Sequence, residues 1–293
     1  MSFVLTVVQP LMSGLLTGGV YALAGIGMSL VFGVMNISNF AHGDFMMLGM
    51  YAAYFAFAML GIDPFVSLLL VFPAGFALGY LLERILLHRV IDHPPQNQIL
   101  LTVGLGLMLS NGALLAFRSD PRLLTTSYSS SAFWLPGGVS VSVPLLGSFV
   151  MTTVIILLLY LFLTKSRIGL ALRATSQNRD AAQLMGINVE RMSALAFGIG
   201  TAFAACAGAL IAPVYYIHPM VGHSFLLKAF TICVLGGLGS VVGAGVGGVV
   251  IGVVEALAST LLSGEWKDVV VYVLFLVILL LRPQGLFGKR REM

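Results

Sequence analysis

The sequence predicts an all-α polytopic membrane protein, a bundle of about nine transmembrane helices within a range of about eight to ten. Hydrophobic residues make up 59% of the 293 residues and charged residues only 9%, whereas a soluble globular domain carries about 25% charged residues. Apolar runs of about 20 residues, the length of a spanning helix, also recur along the whole chain. We therefore expect one transmembrane domain over residues 1–293, with no soluble domain inserted.

The apolar runs give the predicted spans in chain order. They lie near residues 11–35, 40–60, 64–82, 98–117, 144–164, 193–213, 225–242, 243–262 and 269–281. No basic residue precedes the first run, so we expect no cleaved signal peptide. The run 225–242 is the weakest, because its segment VLGGLGSVVGAG is compatible with a broken or re-entrant helix. Cys206 and Cys233 lie inside apolar runs and are interpreted as small buried hydrophobes.

Most of the 15 Lys and Arg residues fall between alternate spans. The rich segments are 83–97, 165–192 and the tail from Arg282 with Lys289, Arg290 and Arg291. Positive residues favour the cytoplasmic side, so the predicted N-terminus is outside and the C-terminus cytoplasmic. The remaining basic residues fall in the predicted outer segments: Arg118, Arg122, Lys228 and Lys267. The net charge of +4 therefore reports orientation, and no basic run interleaved with aromatics indicates a nucleic-acid partner.

A polar run, NISNFAHGDF at residues 36–45, separates the first two apolar runs. A second span that began only at Met46 would be too short to cross a hydrocarbon core about 30 Å thick, so part of the polar run is predicted at membrane depth. Irregular backbone at that depth is tolerated only inside protein or beside water, and a carboxyl there indicates function by default. The candidate substrate-pathway residues of this run are Asn36, Ser38, Asn39, His42 and Asp44. The alternative is a solvated cytoplasmic turn whose Asn and Asp side chains cap helices.

Two further features lie in the last third of the chain. Glu255 is the only carboxyl in its span, so it is a pathway candidate, with a structural hydrogen bond inside the bundle as the alternative. Gly239, Gly243 and Gly247 are spaced four apart and are predicted to share one helix face. Small residues at this spacing let helices pack closely, and flexing of a moving helix is the alternative.

The segment 165–192 holds a predicted short helix from a cap at Ser176 to Met185, with Gly186 suited to a left-handed stop. Its apolar residues are Ala181, Ala182, Leu184 and Met185. A helix this short is unstable alone in water, so it requires a docking partner. The alternative is an amphipathic helix resting on the surface of the lipid bilayer, where its Arg residues meet anionic lipid.

These residues carry a family resemblance. Asp180-Ala181-Ala182-x-x-x-Gly186 resembles the EAAxxxG loop of ABC importer permeases, with Asp for Glu and without the family's trailing I-x-LP. The segments GGVYALAGIGMSLVFGVMNISNFAHGDF, MGINVERMSALAFGIGTAFAACAG, KAFTICVLGGLGSVVGAGVGGVVIGVVEAL and RPQGLFG resemble the branched-chain amino acid (LivH-type) permease family. The resemblance runs in order over essentially the whole chain.

The resemblance implies a single transmembrane permease domain over 1–293, with 165–192 as a cytoplasmic coupling loop. Asp180, Ala181, Ala182, Leu184, Met185 and Gly186 would then contact an ATPase subunit. The implied complex is an ABC importer for branched-chain or other small amino acids in the bacterial cytoplasmic (inner) membrane. Its other members are two ATPase subunits, a second, non-identical permease subunit and a periplasmic substrate-binding protein. The chain lacks a GxxxxGK[ST] phosphate loop, so ATP and Mg²⁺ would bind the ATPase partners, and this chain would hold no cofactor or metal.

Three alternatives stay open. The first is a permease for urea or short amides, which relatives in the same family carry. A stand-alone secondary transporter or channel would bind substrate at broken helices, but the two halves of the sequence show no matching pair of broken segments. A membrane enzyme has least support, because no nucleophile–base pair or metal-ligand spacing is present.

Overall fold

The computed structural model describes residues 4–91, 93–135, 138–262, 264–282 and 284–288. The predicted topogenic charges Lys289, Arg290 and Arg291, and residues 1–3 of the N-terminal run, lie outside these ranges. Within them the chain is a helical bundle. Its α-helices are α1 (Gln9–Met35), α2 (His42–Leu60), α3 (Pro64–Ile85), α4 (Pro95–Phe117), α5 (Val143–Lys165), α6 (Arg167–Gln177), α7 (Arg179–Leu184), α8 (Val189–Ile211), α9 (Val221–Gly236), α10 (Val241–Leu261) and α11 (Lys267–Leu281).

Seven helical segments of the described residues are long and apolar enough to cross a membrane, namely those containing α1 to α5, α8 and α10. The predicted all-α polytopic class is therefore confirmed. Helix α9 is apolar but has 16 residues, and α11 has 15. At about 1.5 Å per residue each is shorter than a hydrocarbon core about 30 Å thick, so the predicted number of about nine spans stays a prediction.

A small β-hairpin, which the sequence analysis missed, precedes α5. Strands β1 (Ala132–Leu135) and β2 (Val139–Ser142) pair antiparallel. The side chain of Gln9 joins β2 to the start of α1, since its amide donates to the carbonyl oxygen of Ser140 at 2.7 Å and accepts from the Ser140 N–H at 2.8 Å. The Tyr128 hydroxyl donates to Asp63 Oδ2 at 2.7 Å, and burial together with this bond raises the pKa of Tyr128. The hairpin and the first turns of α1 and α3 thus lie at one end of the bundle.

The core forms where α1 and α8 cross. A Cβ atom placed on Gly27 would lie 2.7 Å from the Gly200 carbonyl oxygen, so the two backbones meet because both positions lack side chains. The helices run in opposite directions. The Ser148 hydroxyl, near the start of α5, donates to the carbonyl oxygen of Leu210 at 2.6 Å, which puts the end of α8 at the same end of the bundle as the hairpin and the start of α1.

The bundle contains two similar halves of opposite direction, α1–α4 and α8–α11. Helix α1 packs closely on α10, and α8 packs closely on α3. Each of α1 and α8 is followed by an irregular segment, residues 36–41 and 212–220, and then by a helix that begins inside the bundle. Residues 212–220 lie at the hairpin end of the bundle, because Ile217 pairs with Arg122 of the segment that precedes the hairpin. The expectation that the halves hold no matching pair of broken segments stays a prediction.

The predicted glycine face is also corrected. Helix α9 ends at Gly236, and Gly237 and Gly239 have φ of 98° and 84°, in the left-handed region that favours glycine. Gly239 therefore lies between α9 and α10 and shares no helix face with Gly243 and Gly247. Those two face α9: a Cβ on Gly243 would overlap the Gly236 carbonyl oxygen, and one on Gly247 would lie 2.8 Å from the carbonyl oxygen of Ile232.

Candidate functional site

The polar run forms a break that turns back into the bundle. Helix α1 ends at Met35. The next residue, Asn36, has a left-handed backbone (φ 60°) and is exposed, and Ser38 is half-buried. Asn39 is buried, and its side-chain oxygen accepts from the Ala41 N–H at 3.1 Å. Helix α2 begins at His42, whose Nε2 lies 2.9 Å from the carbonyl oxygen of Ala24. Because Ala24 is near the middle of α1, the first turn of α2 lies well inside the bundle.

His42 and Asp44 point to opposite sides of α2, because residues two apart on a helix are about 200° apart. His42 faces α1, and its ring lies close to Gly27. Asp44 faces α4 and α9: a Cβ on Gly106 would lie 2.6 Å from its Oδ2, and one on Gly222 would lie 2.8 Å from its Oδ1. The structure thus does not bring the predicted pathway residues into one cluster.

Several polar atoms of this break are buried without a hydrogen-bond partner among the described residues. They are Asn39 Nδ2, His42 Nδ1 and Asp44 Oδ1. Each such atom costs about 1–3 kcal/mol when desolvated and unpaired. Burial rules out the solvated-turn alternative for these three side chains, whereas Asn36 remains exposed. An unpaired polar group that is retained in a bundle requires an explanation beyond packing.

Glu255 belongs to a separate, ionic site. Its Oε1 lies 2.7 Å from Lys228 Nζ and 3.8 Å from Lys267 Nζ, and Lys228 Nζ lies 3.2 Å from Asp268 Oδ1. The Lys228 and Glu255 side chains are only 5% and 7% exposed. The hydroxyl of Tyr21 also accepts from Lys228 at 3.5 Å. These contacts join α9, α10 and the start of α11 to α1, and they match the structural alternative for Glu255.

Lys228 does not lie in the outer segment that the charge distribution along the sequence predicts for it. It lies within α9 and is buried, so it gives no information on topology. The sequence itself indicates that Lys228 is buried and paired. Glu255 is a lone carboxyl in one apolar run and Lys228 a lone amine in another, and charged groups inside a membrane bundle almost always pair.

The short helix α7 has a different cap from the predicted one. Ser176 lies within α6, where its hydroxyl donates to the Arg173 carbonyl oxygen at 2.8 Å. Asn178 caps α7, because its side-chain oxygen accepts from the Ala181 N–H at 3.0 Å. Gly186 has φ of 84°, the left-handed conformation expected of a stop.

The apolar surface of α7 is smaller than predicted. Ala182 is buried, so it anchors the helix and is not available to a partner. Leu184 and Met185 are 88% and 83% exposed, and Ala181 and Asp180 are also exposed. Helix α7 thus presents an apolar surface, Ala181–Leu184–Met185, that no described part of the chain covers.

Comparison with known proteins decides the family. The profile of the family described as branched-chain amino acid transport system / permease component matches residues 11–279. The chain belongs to this permease family. It is 37% identical to the high-affinity branched-chain amino acid transport permease LivH of Salmonella typhimurium over 96% of this chain and 95% of the relative. It is 35% identical to the corresponding BraD of Pseudomonas aeruginosa, with the same coverages, and 29% identical to a probable LivH of Methanocaldococcus jannaschii over 91% and 88%.

No solved structure matches the chain. The family nevertheless confirms the resemblance and identifies the chain as a transport permease rather than a membrane enzyme, since the relatives are permease proteins. The break and the ionic site are therefore both parts of a helix bundle that transports a solute.

Proposed function

We propose that this permease is a membrane-spanning subunit of an ABC importer for branched-chain amino acids in the bacterial cytoplasmic (inner) membrane. The observation that carries the proposal is the match to permeases named for this transport over 95% of their own length. Separate ATPase subunits would bind ATP and Mg²⁺. A second, non-identical permease subunit and a periplasmic substrate-binding protein would complete the complex. The pathway would run beside the break at Asn36, Ser38, Asn39 and Asp44.

The proposed orientation places the N-terminus outside and the C-terminus in the cytoplasm, with α9 and α11 raising the number of spans to about nine. The support is the distribution of charge over the structure. Arg84, Arg89 and the basic residues of α6 and α7 lie at one end of the bundle. The β-hairpin and the Gln9 end of α1 lie at the other.

The proposed contact with the ATPase is the apolar surface Ala181–Leu184–Met185 on α7. An exposed helix of six residues has little stability of its own, and it is fixed here by Asn178 and Ala182. This leaves its outer residues free to dock into a groove of a partner.

The test is purification of the tagged permease from its native host in mild detergent, followed by mass spectrometry of the bound proteins. An ATPase with a phosphate loop should copurify, and the pair Ala181→Asp and Leu184→Asp should abolish its recovery. Gln183→Asp, at an exposed polar position of the same helix, is the matched control and should retain the ATPase. Recovery of the chain alone, with L-leucine uptake by liposomes that contain no ATP, would instead establish a stand-alone carrier.

A further inference from the structure

The first turns of α2 and α9 meet inside the bundle. A Cβ on Gly43 would overlap the carbonyl oxygen of Gly222, and one on Gly222 would lie 2.9 Å from the carbonyl oxygen of Gly43. Neither helix has a side-chain cap, since the cap positions are Ala41 and Met220. Two helix N-termini, each with partial positive charge, therefore point into the same interior junction.

Asp44 lies in this junction and is only 2% exposed. Its carboxyl fits between α2, α4 and α9 because positions 106 and 222 are glycines. A Cβ atom there would lie 2.6 Å and 2.8 Å from its oxygens, too close for a carbon and an oxygen to pack. Its Oδ1 has no hydrogen-bond partner among the residues described. Asp44 is therefore not a cap for α9, which would require its carboxyl to accept a hydrogen bond from a first-turn N–H.

We propose that this junction binds the zwitterionic head group of an α-amino acid as it passes through the permease. The Asp44 carboxyl takes the ammonium group. The N–H groups of Gly43 and Gly222 take the carboxylate, because the neighbouring N–H groups in the first turns of α2 and α9 donate to backbone carbonyl oxygens. The inference rests on the proposed function and specifies which atoms of the substrate it recognises. A carboxyl beside two helix N-termini complements one cation and one anion held on neighbouring atoms, whereas urea and short amides carry neither charge.

The junction is closed in this structure, because the Gly43 and Gly222 backbones are in contact. Entry of a ligand requires α9 to move away from α2. Because Gly43 and Gly222 have no side chains, moving α9 away from α2 disrupts no side-chain packing between these two residues. His42 takes no part, since its ring faces α1 and bonds the carbonyl oxygen of Ala24.

The test uses the complete complex in proteoliposomes with its binding protein, and measures the initial rate of L-leucine uptake. We expect Asp44→Asn to lower the rate about tenfold, because one charge-assisted hydrogen bond to the ammonium is lost. Assembly of the complex and ATP hydrolysis stimulated by the binding protein should stay near wild type. Asp44→Glu, which keeps the charge, should restore part of the uptake.

Two results would overturn the inference. Uptake by Asp44→Asn close to the wild-type rate would show that the carboxyl meets no ammonium. Loss of assembly in this isosteric variant would show that the charge holds the helices together instead. Failure of the proposed function has a separate signature, because the wild-type complex itself would then transport no L-leucine.

Discussion

Lys228 carries its positive charge inside α9 and has carboxyl partners on two other elements, Glu255 on α10 and Asp268 on α11. We predict that Lys228→Met lowers the thermal stability of the purified permease, because it leaves Glu255 as a buried charge with only the more distant Lys267 opposite it. Removing one partner of a buried ion pair costs about 3–5 kcal/mol. The measurement is the fraction of monodisperse protein that survives heating in detergent, read by size-exclusion chromatography.

The double variant Lys228→Met with Glu255→Gln is the control for this prediction. It removes both buried charges, and the charges that remain, on Lys267 and Asp268, are partly exposed, so it should recover much of the lost stability. If instead Lys228→Met were as stable as wild type and the complex lost uptake, Lys228 would act on the solute and not on the fold.

Residue spacing explains part of what the sequence could and could not predict at this scale. The composition of the polar run at 36–45 and the length of the following apolar run predict a break at membrane depth. The separation of His42 from Asp44 also follows from sequence, because two residues of one helix turn cannot face the same neighbour when they are two apart. The neighbour that each residue faces does not follow from the sequence, because Gly106 and Gly222 come close to Asp44 only through the tertiary packing of α4 and α9.

Apolar runs predicted most helices well, because the bilayer fixes their length and hydrophobicity together. The predicted spans at 64–82 and 98–117, for example, correspond to α3 and α4 with ends moved by a few residues. Prediction failed where a helix stops inside the bundle. Neither the start of α9 at Val221 nor its end at Gly236 is marked by a change in hydropathy, because protein rather than water surrounds both ends.

The junction of α9 with α10 gives a prediction at the element scale. A side chain at Gly243 would overlap the Gly236 carbonyl oxygen, whereas one at Gly245 would meet only the Ile26 side chain, at 3.6 Å. Gly243→Ala should therefore destabilise the permease by about 1–3 kcal/mol through overpacking, and Gly245→Ala should leave stability nearly unchanged. Thermal inactivation of the two purified variants side by side measures the difference. Equal stability would mean that α9 and α10 can shift apart at no energetic cost.

At the scale of the whole molecule, the two halves of opposite direction place the first turns of α2 and α9 against each other. Inverted halves of this kind are a common design of transporters, in which substrate sites form where the halves meet. The position of a lone polar residue along the chain does not show which residues it contacts. The contacts form only when α1 and α8 cross and residues 36–44 come to lie next to the start of α9.

The orientation of the whole bundle is the remaining prediction. Basic residues cluster on α6 and α7, so that end should face the cytoplasm and the β-hairpin end the outside. Both native cysteines are buried, so single introduced cysteines report cleanly. A membrane-impermeant thiol reagent should label Ser130→Cys, an exposed position before the hairpin, in spheroplasts with intact cytoplasmic membranes. Gln183→Cys on α7 should react only after those membranes are opened. The reverse pattern would place α7 outside, where no ATPase could reach it, and would overturn the proposed coupling together with the topology.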